Sequence, residues 1–113
     1  TYGIKPTIEA ALKLLSHPFR PDAVFCASDL QAICVQKAAH MLDIDVPQDL
    51  GILGFDDTEI AGFMELSTIR QSLDRSGEIA AKLVIEQLEN PAAKKRQIKL
   101  DLTVVERKTT KIR

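Results

Sequence analysis

Two acidic pairs, Ser28-Asp29 and Asp56-Asp57, are the residues of this sequence best suited to holding a small polyhydroxylated molecule. A carboxylate accepts hydrogen bonds from two neighbouring hydroxyl groups at once, which suits a sugar or polyol. The same residue types are also good helix caps, and Asp favours the first turn of a helix. From the residues alone both readings stand for each pair. Within the second pair, Asp57 is assigned the capping role and Asp56 the ligand role. Gln71 is a further polar candidate, read either as a cleft residue or as a plain surface amide.

Other chemistries find little support. His17 and His40 lie far apart with no third partner at ligand spacing, so no metal is expected. Ser72 and Ser76 have no evident base. No G-x-S-x-G, P-loop, H-E-x-x-H or G-x-G-x-x-G pattern occurs. No catalytic residue and no cofactor is therefore expected, and the chain is not read as an enzyme. Cys26 and Cys34 sit in apolar surroundings and form no C-x-x-C pair, so both are read as reduced core residues, which favours the cytosol.

The elements that would position these residues follow from periodicity. Pro6 fits the first turn of a helix with Ile8, Ala11, Leu12 and Leu15 on one face, ended by His17-Pro18. Ala23-Val24-Phe25-Cys26-Ala27 is a continuous apolar run, the pattern of a strand buried on both faces. Ser28 or Asp29 caps a second helix, whose apolar face is read as Leu30, Ile33, Cys34, the Lys37 stem, Ala38, Met41 and Leu42. It stops near Asp43, before a turn at Val46-Pro47-Gln48-Asp49. Leu50-Gly51-Ile52-Leu53-Gly54-Phe55 is a second buried strand with Asp56-Asp57-Thr58 at its carboxyl end. A short helix over 59–64, a brief strand over 67–70 and a long helix over 73–89 come next. The long helix carries a stripe of Leu73, Gly77, Ala80, Ala81, Val84 and Leu88, and Asn90-Pro91 terminates it. Ile98, Leu100, Leu102 and Val104 alternate with polar residues, giving a final extended stretch to about residue 107.

This alternation predicts an α/β fold: a parallel sheet with flanking helices. Ligands in such sheets bind beyond the carboxyl ends of the strands, where both acidic pairs fall. Composition agrees with a globular domain. The chain has 113 residues, 45% apolar and 27% charged, with a net charge of −1. No segment reads as a signal peptide, and no apolar run is long enough to span a membrane. Residues 91–113 are basic, with 8 cationic and 2 acidic side chains. Without interleaved aromatics or a recognition helix, this tail is read as a solvated strand face and not as a DNA contact. The start, Thr1-Tyr2-Gly3, lacks methionine and runs straight into a helix, which suggests a piece of a longer protein.

Several strings are then more specific. Pro21-Asp22-Ala23-Val24-Phe25-Cys26-Ala27-Ser28-Asp29 resembles the P-D-A-[IV]-F-x-x-[SN]-D segment of LacI/GalR (lactose-repressor) regulators. Val46-Pro47-Gln48-Asp49-Leu50-Gly51-Ile52-Leu53-Gly54-Phe55-Asp56-Asp57 resembles their V-P-x-D-[IVL]-x-[IVL]-x-G-[FY]-D-[DN]. Leu66-Ser67-Thr68-Ile69-Arg70-Gln71 is similar to L-[TS]-T-[IV]-x-Q, the helix with Gly77, Ala80 and Ala81 to G-x-x-A-A, and Val105-Glu106-Arg107-Lys108-Thr109-Thr110 to [LV]-x-R-x-[ST]-T. Their order and spacing agree over nearly the whole chain. Cys34-Val35 departs from the usual Gly-Ala, and Met64 and Ser72 stand where proline is common.

The resemblance implies a type I periplasmic-binding-protein-like fold of two α/β subdomains with a ligand between them. Residues 1–70 and about 102–113 would belong to the C-terminal subdomain, and about 73–100 would supply a helix and strand of the N-terminal one. The DNA-binding helix-turn-helix would lie outside this chain. The implied function is a cytoplasmic sensor that binds a sugar-like effector and controls DNA binding, reaching operator DNA only through that other domain. Asp56 would match a sugar-binding aspartate, Ser28 a cleft-facing residue with Asp29 beside it opening the helix, and Gln71 a polar cleft residue at the last hinge. A homodimer is expected through Ile33, Met41, Phe63 and Met64, which are also more apolar than a covered sheet requires. Two alternatives compete with this reading: a response-regulator-like receiver, whose required Lys after the last strand is not found, and an exported sugar-binding protein of the same fold, disfavoured by two free cysteines.

Overall fold

A computed structural model of the chain describes residues 3–71, 73–92 and 102–111. The elements run α1 (Ile4–Leu15), β1 (Ala23–Phe25), α2 (Asp29–Met41), β2 (Gly51–Leu53), α3 (Glu59–Phe63), β3 (Thr68–Arg70), α4 (Leu73–Glu89) and β4 (Thr103–Val105). They form two compact units, Thr1–Arg70 with Val104–Arg113, and Gln71–Thr103. The expected basic cluster Lys94-Lys95-Arg96, the Ile98 and Leu100 positions and Ser72 lie outside the described residues.

In the first unit β1 and β2 pair in parallel, with Ala23 opposite Gly51, Val24 opposite Ile52 and Phe25 opposite Leu53. The ladder continues past β2. Gly54 donates to the Ser67 carbonyl and Asp56 to the Ile69 carbonyl, each at the next strand, β3. Both numbers rise by two together, which is a parallel alignment. The closing segment returns beside β2, where the Ile52 amide donates to the Thr109 carbonyl at 2.8 Å. β3 also pairs with β4.

The core lies between the sheet and the helices. Leu15 of α1, Ala32, Val35, Ala38 and Ala39 of α2, Leu50, Ile52 and Leu66 form one buried cluster. Two expectations change here. The strand at Ala23 is not buried on both faces: Val24 and Cys26 pack inward, whereas Phe25 is 63% exposed. Strand side chains alternate, and among the described residues no strand covers the other edge of β1. The inward face of α2 is only partly the one expected: Cys34 and Ala38 are buried and Ile33 packs against the core as read from the sequence. Leu30, Met41 and Leu42 are exposed, while the alanines and Val35 face the core. Apolar side chains of this helix are spread over more than one stripe, so periodicity alone does not choose its face. Small side chains take the inner face because α1 and β2 approach closely there. In the second unit Val84 and Leu88 of the α4 stripe are exposed, and α4 ends where expected, with the Asn90 amide on the Glu86 carbonyl.

One close approach fixes the carboxyl end of β2. Gly54 is buried, and a Cβ built on it would lie 2.5 Å from Asp29 Oδ1 and 3.0 Å from Leu66 Cδ2. Neither neighbour is the free end of a flexible side chain. Gly54→Ala is expected to destabilise the fold by about 1–3 kcal/mol through overpacking. Urea denaturation measures this, and an unchanged midpoint would contradict the packing described.

Candidate functional site

The site is built at the carboxyl ends of β1 and β2, where the chain must leave a strand and open a helix. Ser28 sits at the N-cap of α2 with an extended backbone, and its Oγ accepts a hydrogen bond from the Gln31 amide at 3.2 Å. A capping hydroxyl satisfies one of the unpaired amides of the first helical turn. Asp29, the first helical residue, points the other way. It is 1% exposed. Its Oδ2 accepts from the Thr58 amide at 2.6 Å and the Thr58 hydroxyl at 2.8 Å, and its Oδ1 accepts from the Thr68 hydroxyl at 2.5 Å. Its own amide donates to the Phe55 carbonyl. Asp29 thus ties the start of α2 to the loop after β2 and to β3.

Asp56 and Asp57 form the loop itself. Their φ angles are 102° and 53°. Left-handed backbone costs an L-residue roughly 1–2 kcal/mol, though Asp tolerates it better than most. Three successive amides hold the turn. Asp56 N–H donates to the Ile69 carbonyl at 2.8 Å, Asp57 N–H to Thr68 Oγ1 at 3.3 Å, and Thr58 N–H to Asp29 Oδ2. Asp56 is half-buried. The ring of the preceding Phe55 lies 6.3 Å from that of Phe25, tilted by 47°.

Asp57 is not the helix cap that the sequence suggested. Thr58 occupies the N-cap of α3, and the Asp57 carboxylate is held instead by two guanidiniums. Arg107 Nη2 contacts its Oδ1 and Arg70 Nε its Oδ2, both at 2.9 Å. The side chain is 11% exposed. Its capping role fails because the arginines offer charge-assisted bonds that an N-cap amide cannot match. Arg107 in turn is not part of a solvated tail. Its Nη1 donates to the Leu66 carbonyl at 2.8 Å and its amide to Ser67 Oγ at 2.8 Å.

The structure therefore brings Ser28, Asp29 and Asp56 to one edge of the first unit, while Gln71 opens the second unit directly after β3. Sequence reasoning singled out neither Thr58, Thr68 nor Arg107 as part of this edge. The last two fall inside strings already notable for their resemblance, but nothing in their spacing shows which partners they take. Among the described residues no group of three His, Cys, Asp or Glu is placed to hold a metal ion, and no helix is long and apolar enough to cross a membrane. Cys26 and Cys34 are free and buried. Burial, reinforced by Cys34, pushes the Cys26 thiol up to about 11, which suits an inert core thiol.

A second surface runs over α1, α2 and α3. A groove of about 680 Å³ is lined by apolar side chains including Ile4, Leu30, Ile33, Ile60 and Met64. Phe63 and Met41, next in sequence to the lining residues Met64 and His40, are 84% and 53% exposed.

Residues 3–110 match the periplasmic binding protein-like domain. The chain belongs to that family. It is 39% identical over 101 residues to the ribose operon repressor of Escherichia coli (strain K12), a match that covers 88% of this chain and 31% of the repressor. Among solved structures, it superposes on a LacI family transcriptional regulator from Lactobacillus casei with bound sucrose at a TM-score of 0.77 and 28% identity, covering 96% of this chain and 41% of that one. It also superposes on the lac repressor dimer bound to operator and the anti-inducer ONPF at a TM-score of 0.80 and 26% identity, covering 92% of this chain and 37% of that one. The likeness to LacI-type regulators, expected from the motifs, is thus found in both sequence and fold, and it covers the C-terminal part of their core. The chain spans about a third of the length of the curated repressor it matches.

The two arginines give the loop a defined pH response. Burial raises the Asp57 pKa, but Arg107 and Arg70 outweigh it and hold the carboxyl below the ordinary range. With the folded pKa below the unfolded one, the ion pairs stabilise the fold above the unfolded pKa. That contribution fades as the pH falls through the folded value. Asp57→Asn is expected to lower stability at about pH 6 and to lower it less at about pH 3, where the unfolded state is already largely protonated and the ion pairs' contribution is fading. Denaturation curves at the two pH values test this, and an equal loss at both would refute it.

Proposed function

We propose that this chain is the ligand-sensing and dimerisation part of a bacterial transcriptional regulator, and that the intact protein binds a small sugar-like effector and controls DNA affinity allosterically. The observation that carries the reading is the strained Asp56-Asp57 turn at the carboxyl end of β2. Strain of this kind persists only where surrounding structure over-determines it, and it clusters at functional sites. Open α/β sheets bind ligands at that same end. The nature of the effector follows from relatives: one is a ribose operon repressor, and a solved neighbour holds sucrose.

In this reading Asp56 accepts hydrogen bonds from effector hydroxyls. Ser28 keeps its hydroxyl proton to donate while its oxygen caps α2. Asp29, buried and fully engaged, holds the edge in shape and does not touch the effector. Gln71 contributes from the start of the second unit. DNA contact belongs to a helix-turn-helix domain outside these residues. The protein works in the cytoplasm, in keeping with a repressor's task and with two free thiols. It is a sensor and not an enzyme: among the residues of this edge there is an acceptor for hydroxyls but no nucleophile paired with a base.

The apolar groove is read as the dimer surface. Its occupant is a second copy of the chain, consistent with a neighbour solved as a lac repressor dimer. Ile33 and Met64 line it, and the exposed Phe63 and Met41 are assigned to the same surface. Exposed apolar surface of this kind marks an interaction site.

Calorimetry with a panel of pentoses and hexoses, D-ribose first, tests the effector site in the full-length protein. Asp56→Ala is expected to weaken the bound sugar by about ten- to a hundredfold, the worth of a charged hydrogen-bonding partner. A dissociation constant unchanged by Asp56→Ala would remove Asp56 from the site. Sedimentation tests the groove. A dimer is expected at micromolar concentration, and Ile33→Asp or Met64→Asp should shift it toward monomer; a monomeric parent protein would rule the surface out.

A further inference from the structure

The Asp57 carboxylate does something that no backbone bond of its loop does. The amides of Asp56, Asp57 and Thr58 are tied to β3 and to the start of α2. None of them reaches the closing segment of the chain. Asp57 does, through Arg107 Nη2 at 2.9 Å, and its second oxygen meets Arg70 Nε at 2.9 Å. Arg70 is the last residue of the first unit before the chain leaves it, and Arg107 lies just after the point of return at Val104. One carboxylate therefore spans the two strands on which the chain departs and re-enters. Arg107 is fixed in place by the Leu66 carbonyl and by Ser67 Oγ, so the clamp has a rigid end. The Arg70 side chain is 55% exposed, which makes it the weaker arm.

We infer that Asp57, clamped between Arg107 and Arg70, is a positioning residue: it holds the Asp56 turn and ties that turn to both points where the chain crosses between units. The inference rests on the sugar-sensor reading for its consequence, effector affinity, but not for the clamp itself. Asp57 makes no contact with effector. It acts by restricting the backbone of the residue that does. Its presence next to Asp56 is the reason that two acidic residues stand in succession: one faces the ligand and the other anchors the turn. A turn fastened to departing and returning strands is a place where occupancy by a ligand and the geometry of those strands are linked, as coupling between sites requires.

Two readouts on the full-length protein test it, one with ligand and one without. Hydrogen–deuterium exchange follows the segment 55–59 against a core segment of α2. Asp57→Asn and Arg107→Gln are each expected to speed exchange in 55–59 and to leave α2 unchanged; a purely structural loss would speed both. Calorimetry with D-ribose should show Asp57→Asn and Arg107→Gln each weakening binding by about tenfold, and Arg70→Gln by about twofold, with the Asp57→Asn/Arg107→Gln double variant no weaker than either alone, because coupled partners are not additive. Exchange in 55–59 that is unaltered by Asp57→Asn would overturn the inference. So would multiplication of the two single losses in the double variant. Failure of the unaltered protein to bind D-ribose would count against ribose as the effector, and the exchange measurement would still decide the clamp.

Discussion

The buried carboxyl group of Asp29 is the interaction on which the rest of this edge depends. Three donors from two other elements converge on it, and its amide takes a fourth bond to the Phe55 carbonyl. Burying a carboxylate without partners costs far more than a small domain can absorb, so its donors are obligatory. That requirement explains several otherwise unrelated residues. Thr68 bears a hydroxyl because valine, of the same shape, would take away the partner of Oδ1, and the Thr58 hydroxyl adds a second bond to the Oδ2 that its amide already meets. Gly54 lacks a side chain because the carboxyl group occupies the space where its Cβ would stand. The departure of β2 into its loop, the register of β3 beside it and the entry into α2 are fixed by a single polar centre.

A polar anchor at this point has a functional logic. At these two strand ends the chain turns into loop and helix, where buried polar groups and not apolar packing alone fix the backbone. Hydrogen bonds are directional, and a fully satisfied buried network specifies one geometry where apolar contacts would tolerate several. A second polar centre at Thr109 repeats the device inside the sheet. Its hydroxyl donates to the Ile52 carbonyl and accepts from the Ser67 amide, fastening the closing segment between β2 and β3. The first unit is thus held by an apolar layer beneath the helices and by two polar ties within the sheet.

The architecture was legible in the sequence because it rests on periodicity and composition. The order of helices and strands, the parallel pairing and a cap at Ser28 or Asp29 follow from runs of apolar residues and from turn residues between them; the structure puts the cap at Ser28. What the pattern supplied only in part was the inward face of α2: Cys34 and Ala38 face inward as read, but Ala32, Val35 and Ala39 do so in place of Leu30 and Met41. Hydrophobicity ranks Leu30 and Met41 above Ala38, but close approach of α1 selects for size. Leu30, left outside, lines the groove over α1, α2 and α3.

The acidic pairs divide differently from their appearance in the sequence. Each pair contains one residue at the surface of the edge and one engaged within it: Ser28 with Asp29, Asp56 with Asp57. Neighbours along the chain diverge because the backbone changes direction between them, extended to helical at Ser28-Asp29 and left-handed at Asp56-Asp57. A sequence shows both members as polar and near a strand end. It does not show partners 39 or 50 residues away, such as Thr68 for Asp29 and Arg107 for Asp57, that hold the inner member. Those long-range partners account for the inner members: Asp29 and Asp57 serve to hold the fold at this edge.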